Sequence, residues 1–146
     1  MATMRLRHWL PPVVWMIVIL SLASDAGSAE RTGSLIIPLL RFLVPGASPA
    51  QLDALHAIVR KLGHLTEYGV LAALWLRAFV LGPGSQPRVA AASAWIIALV
   101  WAIVDESYQA TVASRGGSAL DVVIDAVGAF AVVLPGACGR RGRPTP

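Results

Sequence analysis

A single cysteine, Cys138, stands among 146 residues, so the chain builds no internal disulfide and no cysteine-rich zinc site. Charge is scarce too: Asp, Glu, Lys and Arg make up 14% of the chain against 56% hydrophobic residues, where a soluble domain carries roughly a quarter charged. A soluble fold of this length cannot hide that much apolar surface, and the surplus is expected to face lipid. No serine or cysteine stands in a recognisable nucleophile setting, and no internal repeat or low-complexity tract occurs. Acids are missing beside both ends, where Arg5, Arg7, Arg140, Arg141 and Arg143 gather. The formal net charge is +4, but the basic residues form no stripe interleaved with aromatics. Nucleic acid is therefore excluded as a partner, and the basic balance reads as membrane topology.

The apolar residues fall into four segments, at about 9–24, 64–81, 89–104 and 122–138. Each approaches the roughly 20 residues that cross a bilayer as a helix. The first falls a little short of that length; with its basic leader and the small residues Gly27, Ser28 and Ala29 it also fits a cleaved signal peptide. An uncleaved helix is the preferred reading, with Pro11 and Pro12 in its first turn, where a missing donor costs nothing. The segment 25–63 is mixed. Its apolar stretch Ser34 to Val44 is broken by Pro38 and Arg41 and is too short to span, and Pro45, Gly46 and Pro49 then punctuate the chain. From Pro49 to Lys61, Leu52, Leu55, Ile58 and Val59 recur at helical spacing, which predicts an amphipathic helix in the membrane interface. Gly82, Pro83 and Gly84 close the second span. The short loop there makes the second and third spans an antiparallel pair.

The expected architecture is an all-α integral membrane bundle of about four transmembrane helices, with an interfacial amphipathic helix between the first and second. A basic N-terminus (1–8) and a basic tail (139–146) flank the transmembrane domain (9–138), and 25–63 is extracytoplasmic. The arginines nearest the spans and the two termini place both ends in the cytoplasm.

With that orientation all eight acids, Asp25, Glu30, Asp53, Glu67, Asp105, Glu106, Asp121 and Asp125, fall on the outer side or in the adjacent helix turns. Lys61, His64, Glu67 and Tyr68 recur at spacings of three and four, on one helix face. Asp105, Glu106 and Gln109 close the third span at the same depth. Arg115 lies in the polar stretch after that span, and Asp121, Asp125 and Gly128 open the fourth span on one face. Ionisable groups at that depth are costly unless they pair or line a wet cavity, so they are functional candidates. A purely architectural reading stands beside this one: salt bridges that fix helix packing, Asp121 at the positive end of a helix dipole, and Gly128 as a close-packing contact. His64 with Glu67 and Asp105, Glu106 or Asp121 could supply nitrogen and oxygen donors to a divalent metal. The spacing alone does not specify one, and neither metal nor cofactor is assigned. His64 could equally serve as a general base beside a carboxylate, with Arg115 and Lys61 gripping a phosphate or carboxylate.

The string Arg60-Lys61-Leu62-Gly63-His64-Leu65-Thr66-Glu67-Tyr68-Gly69-Val70-Leu71 resembles the R-K-x-x-H-x-x-E-Y-x-x-L signature of VanZ-like membrane proteins. Asp105-Glu106, Gln109, Arg115, Ser118, Asp121 and Gly128 resemble that family's D-E-x-x-Q, R-x-x-S-x-x-D and a glycine after them. Order and spacing agree from about Arg60 to the end of the fourth span. The resemblance implies a four-span helical bundle in the bacterial cytoplasmic membrane. It also brings an association with low-level resistance to teicoplanin, a glycopeptide that binds cell-wall precursors; no established reaction comes with it. Asp125 departs from the pattern, standing where the family shows asparagine, and an extra carboxylate there raises the cost of burial.

The resulting expectation is a cell-envelope membrane protein that binds an anionic envelope or cell-wall component at Lys61, His64, Glu67, Tyr68, Asp105, Glu106, Gln109, Arg115, Asp121 and Asp125. Its partners would be membrane lipids, with a lipid-linked wall precursor or a glycopeptide as the further ligand. A membrane enzyme acting on such a precursor and a small structural subunit of a larger complex are the two alternatives. The oligomeric state is not legible.

Overall fold

The computed structural model describes residues 2–82 and 86–138. The loop positions 83–85 and the basic tail 139–146, both expected on the cytoplasmic side, lie outside the described residues. Five helices succeed one another: α1 (Ala2–Ala23), α2 (Ala29–Leu43), α3 (Pro49–Val80), α4 (Pro87–Gln109) and α5 (Ala119–Cys138), with a short 3-10 turn (Asp25–Gly27) between α1 and α2. The all-α expectation holds, with no strand among the described residues.

Local chemistry explains the boundaries. Ser28 starts α2 by accepting from the Arg31 N–H. Ser48 and Gln51 form a reciprocal capping box at the start of α3, with Pro49 in its first turn. Pro87 plays the same part in α4.

Three boundaries differ from the expectation. Residues preceding Trp9 join α1, so Pro11 and Pro12 lie inside the helix rather than in its first turn. The interrupted stretch Ser34 to Val44 belongs to a real helix, α2, which contains Pro38; a helix tolerates a proline where neighbouring contacts offset the lost backbone bond. The amphipathic stretch Pro49 to Lys61 and the second apolar segment are one unbroken helix of 32 residues, about 48 Å long at 1.5 Å per residue. By length and apolarity α4 alone qualifies to cross a bilayer among the described helices, and α1 with α2 makes a second candidate if the pair, bent by 72°, counts as one span.

Side-chain contacts fix the helix directions. Trp9 meets Trp75 and Phe79 edge-on at 5.4 Å, while Trp15 Nε1 donates to the Glu67 carbonyl at 2.9 Å, so α1 runs antiparallel to α3. Trp95 Nε1 donates to the Ala126 carbonyl and the Ser118 N–H to Glu106, so α4 and α5 are antiparallel. Lys61 pairs with Asp121 and His64 with Asp125, so α3 and α5 run parallel.

The core joins Tyr68, Leu71, Ala72 and Trp75 of α3 to Ala91, Ala94, Ala98 and Ala102 of α4 and Ala129 and Val133 of α5. An alanine stripe lets α4 approach closely, as small residues do where helices pack in lipid. Gly128 makes a still tighter contact. A Cβ built there would overlap the backbone carbonyl of Leu65, which gives this glycine the packing role expected of it. Outward faces stay apolar: Ile17, Val100, Ile103, Val123, Val127 and Phe130 are each half or more exposed.

Candidate functional site

The polar residues collect at one end of the bundle, where α1 ends, α3 is at mid-length, α4 ends and α5 begins. At the opposite end Arg7, Arg77 and Arg88 are exposed, and no acid lies beside them among the described residues. The charge asymmetry read along the sequence is therefore an asymmetry in space.

Four of the expected residues form the centre. His64, Asp105, Glu106 and Asp125 are brought together so that one potential ligand atom from each lies within 4.8 Å of the others. Asp125 is 0%, Asp105 1% and Glu106 5% exposed. His64 Nδ1 sits 3.3 Å from Asp125 Oδ1. One oxygen of each of two carboxylates is held: Gln109 Nε2 donates to Asp105 Oδ2 at 3.2 Å, and the Ser118 N–H donates to Glu106 Oε2 at 2.7 Å. Their other oxygens, Asp105 Oδ1 and Glu106 Oε1, have no hydrogen-bond partner, nor does either oxygen of Asp125 or the fully buried Tyr68 hydroxyl.

Lys61 and Asp121 stand one helical turn away as their own ion pair, at 2.7 Å. Asp121 is thus beside the centre rather than in it, and so is Glu67, which lines a neighbouring cavity. Arg115 reaches the centre through a relay. Its Nη2 and Nε donate to Gln109 Oε1 at 2.6 and 3.2 Å, and Gln109 in turn holds Asp105. Of the ten residues expected at the site, His64, Asp105, Glu106 and Asp125 form the core, Gln109 and Arg115 are linked to it through Asp105, and Lys61 and Asp121 pair beside it.

Two residues outside the expected set matter. Arg60 donates through Nη1 to the Gly27 carbonyl at 2.8 Å and to Thr32 Oγ1 at 3.1 Å, and Arg115 Nη1 donates to the same carbonyl. Ser118 accepts from the Asp121 N–H through its hydroxyl, which caps α5, while its own N–H positions Glu106. The R-x-x-S-x-x-D string is in this sense a helix start that carries an arginine before it. Arg60 stood in the recognised signature and was the available signal; Ser118 was visible as an S-x-x-D capping pattern.

His64 opens on two cavities. One, of about 220 Å³, is lined by Arg60, His64, Glu67, Gln109 and Arg115 together with apolar side chains of α1, α2 and α3, among them Ile19 and Ile36. The other, of about 540 Å³, lies between Glu30, Asp53, His56, Lys61 and Asp121. In the first, two guanidiniums face a single carboxylate. Burial, and the Arg60 charge beside it, push the Arg115 guanidinium below its ordinary value, although arginine keeps its proton. At the rim, the Ser114 hydroxyl and then Arg31, whose Nε lies 2.7 Å from Asp25 Oδ2, hold the Asp25 carboxyl below the usual range.

No curated protein and no solved structure matches the chain. The VanZ/LLP1 family model matches residues 9–135, a stretch that includes every residue of the buried centre, both arginines on Gly27 and all five helices in whole or large part. The chain belongs to the VanZ/LLP1 family.

Proposed function

We propose that this chain is a four-span membrane protein whose outer end binds an anionic, amphiphilic envelope component, with the anionic head held by Arg60 and Arg115. The convergence of these two guanidiniums in one open cavity carries the reading. Two cations drawn together repel, and a phosphate or carboxylate between them removes that cost and accepts their fork-shaped donors. The apolar side chains on the remaining walls suit the chain of a lipid or a lipid-linked wall precursor. Lys61, first expected to share the grip, is already paired with Asp121, so Arg60 takes its place.

Helix directions support the topology. With α1 antiparallel to α3, α2 makes no crossing of its own, and α1, α3, α4 and α5 alternate in direction. Both termini then fall on one side, and exposed arginines without acids mark that side as cytoplasmic. A hydrocarbon core of roughly 30 Å is shorter than α3, so about the first third of α3 stands in the outer headgroup region. There α2 lies against it, with Leu35, Leu39 and Phe42 exposed to meet the membrane interface. This is the role first assigned to the start of α3.

A membrane enzyme is the second reading, favoured by His64 paired to Asp125 at the cavity wall. Native mass spectrometry of the full chain in detergent tests binding: anionic phospholipid and a polyprenyl phosphate should be retained over phosphatidylcholine, and Arg60→Gln with Arg115→Gln should abolish the preference. Equal retention of anionic and zwitterionic lipids by the unaltered chain refutes the reading, and turnover of a bound precursor, absent in His64→Ala, selects the enzyme. Altered teicoplanin sensitivity on deletion would link this member to glycopeptide resistance.

A further inference from the structure

The buried centre has a problem that the anion-binding cavity does not solve. Asp105, Glu106 and Asp125 place three carboxylates, each nearly sealed from solvent, around one imidazole inside a helical bundle. The cations nearby are otherwise engaged: Lys61 holds Asp121, and Arg60 and Arg115 hold the Gly27 carbonyl, Thr32 and Gln109. Buried carboxylates are paired, hydrogen-bonded or bound to metal. Here four carboxylate oxygens have no hydrogen-bond partner, and the imidazole 3.3 Å from Asp125 Oδ1 is a single group set against three acids.

Their orientation is the second observation. Gln109 and the Ser118 N–H each occupy one oxygen of one carboxylate and leave its other oxygen buried and free. That is how supporting hydrogen bonds aim a carboxylate ligand at a metal. The side chains come from the middle of α3, the end of α4 and the first turns of α5, so three rigid helices fix the set.

We infer that His64, Asp105, Glu106 and Asp125 form a binding site for a divalent transition-metal ion, Zn2+ or Mn2+. One imidazole nitrogen with three carboxylate oxygens suits these borderline ions, which accept mixed nitrogen and oxygen donors. With one oxygen of Asp105 and one of Glu106 already engaged, the four free carboxylate oxygens fall short of the six to eight that Ca2+ takes. The ion supplies the charge that the carboxylates lack and the partner that each free oxygen lacks. Asp121 and Glu67, which the spacing alone had put forward beside His64, are outside the set.

Metal content reads this inference without reference to any lipid. The full chain, purified in detergent, stripped with chelator, incubated with Zn2+ or Mn2+ and desalted, should retain about one ion per chain by elemental analysis. The bound ion should raise its melting temperature. Asp125→Asn and Glu106→Gln should each weaken retention by at least roughly tenfold, while Asp121→Asn retains the ion. Asp125→Asn is isosteric and removes one of three crowded charges, so without metal it should melt no lower than the stripped wild-type chain, and it should not respond to metal. If it does not fold, Glu106→Gln decides. A stripped wild-type chain that takes up neither ion overturns the site, as does uptake that survives the deciding substitution.

Discussion

Arg60 and Arg115, one from mid-α3 and one from the loop after α4, donate to the same backbone oxygen, the carbonyl of Gly27. That carbonyl belongs to the turn that bends α1 into α2, so the bend and the two arginines are one assembly. A Cβ at position 27 would overlap the Leu22 carbonyl and crowd Arg115 Nη1. Because the clash is with backbone, the turn itself must move. Gly27→Ala should cost about 2 kcal/mol or more, visible as a lower melting temperature in detergent, and should lower anionic-lipid retention although no charged residue has changed. An unaltered melting temperature would refute the shared-carbonyl arrangement.

Arg115→Ala removes two bonds to Gln109 and one to Gly27, but its surroundings are half exposed and open on the cavity, so water reaches the partners left behind. The cost should be about 1 kcal/mol. His64→Ala vacates a volume that borders both cavities and can likewise be rehydrated. Both variants should therefore keep near-normal membrane abundance while losing any envelope phenotype, including altered glycopeptide sensitivity. Immunoblots beside the phenotype decide it: loss of both proteins from the membrane would mean that the cluster serves only to join the helices.

The helical class, the three late helices and the gathering of polar groups at one end were legible along the chain, because they are written in apolar run lengths and in the placement of acids, which do not depend on exact packing. Pairings do depend on it. Glu67 and Asp121 were as good candidates as Asp125 to meet His64 by spacing; only the rotation of α3 against α5, set by Gly128 on the Leu65 backbone, brings Asp125 to the imidazole. The helix α2 was hidden because Pro38 and Arg41 interrupt its apolar pattern, and periodicity cannot see the Ser28 cap or the His56 ring against Gly33 that steady it. Arg60 was passed over because its partner is a backbone carbonyl, which has no signature in sequence.

Gly128 gives a prediction of the opposite kind to Arg115. Nothing chemical surrounds it, yet a side chain there meets the carbonyl and Cα of Leu65, and no rotamer relieves contact with backbone. Gly128→Ala should push α5 from α3 at a cost of roughly 1–3 kcal/mol, and Gly128→Leu should lose the protein from the membrane. Gly63, whose Cβ would meet nothing within 4 Å, is the control: Gly63→Ala should leave abundance unchanged, and equal losses at both positions would show that α3 and α5 do not meet there.

The topology can be probed from both ends of α3. Its second half leads to exposed Arg77 and, across the short connection, Arg88, while its first half leads to Asp53 and the acids of the site. If the arginine end is cytoplasmic, a cysteine placed at Ser85 is protected from an impermeant thiol reagent in intact cells and labelled after lysis. A cysteine at Asp53 shows the reverse, being labelled before lysis. The native Cys138 is first replaced by serine so that each signal has one source. A reporter fused after Pro146 should be active only in its cytoplasmic form, because α5 runs parallel to α3 and, if both cross the bilayer as proposed, ends on the same side as Val80. The two cysteines and the reporter are independent, yet the helix directions tie them: labelling at Ser85 in intact cells together with an outward-facing reporter would invert the whole bundle and place the His64 cluster in the cytoplasm, whereas disagreement between Ser85 and the reporter would break the parallel pairing of α3 and α5 on which the site depends.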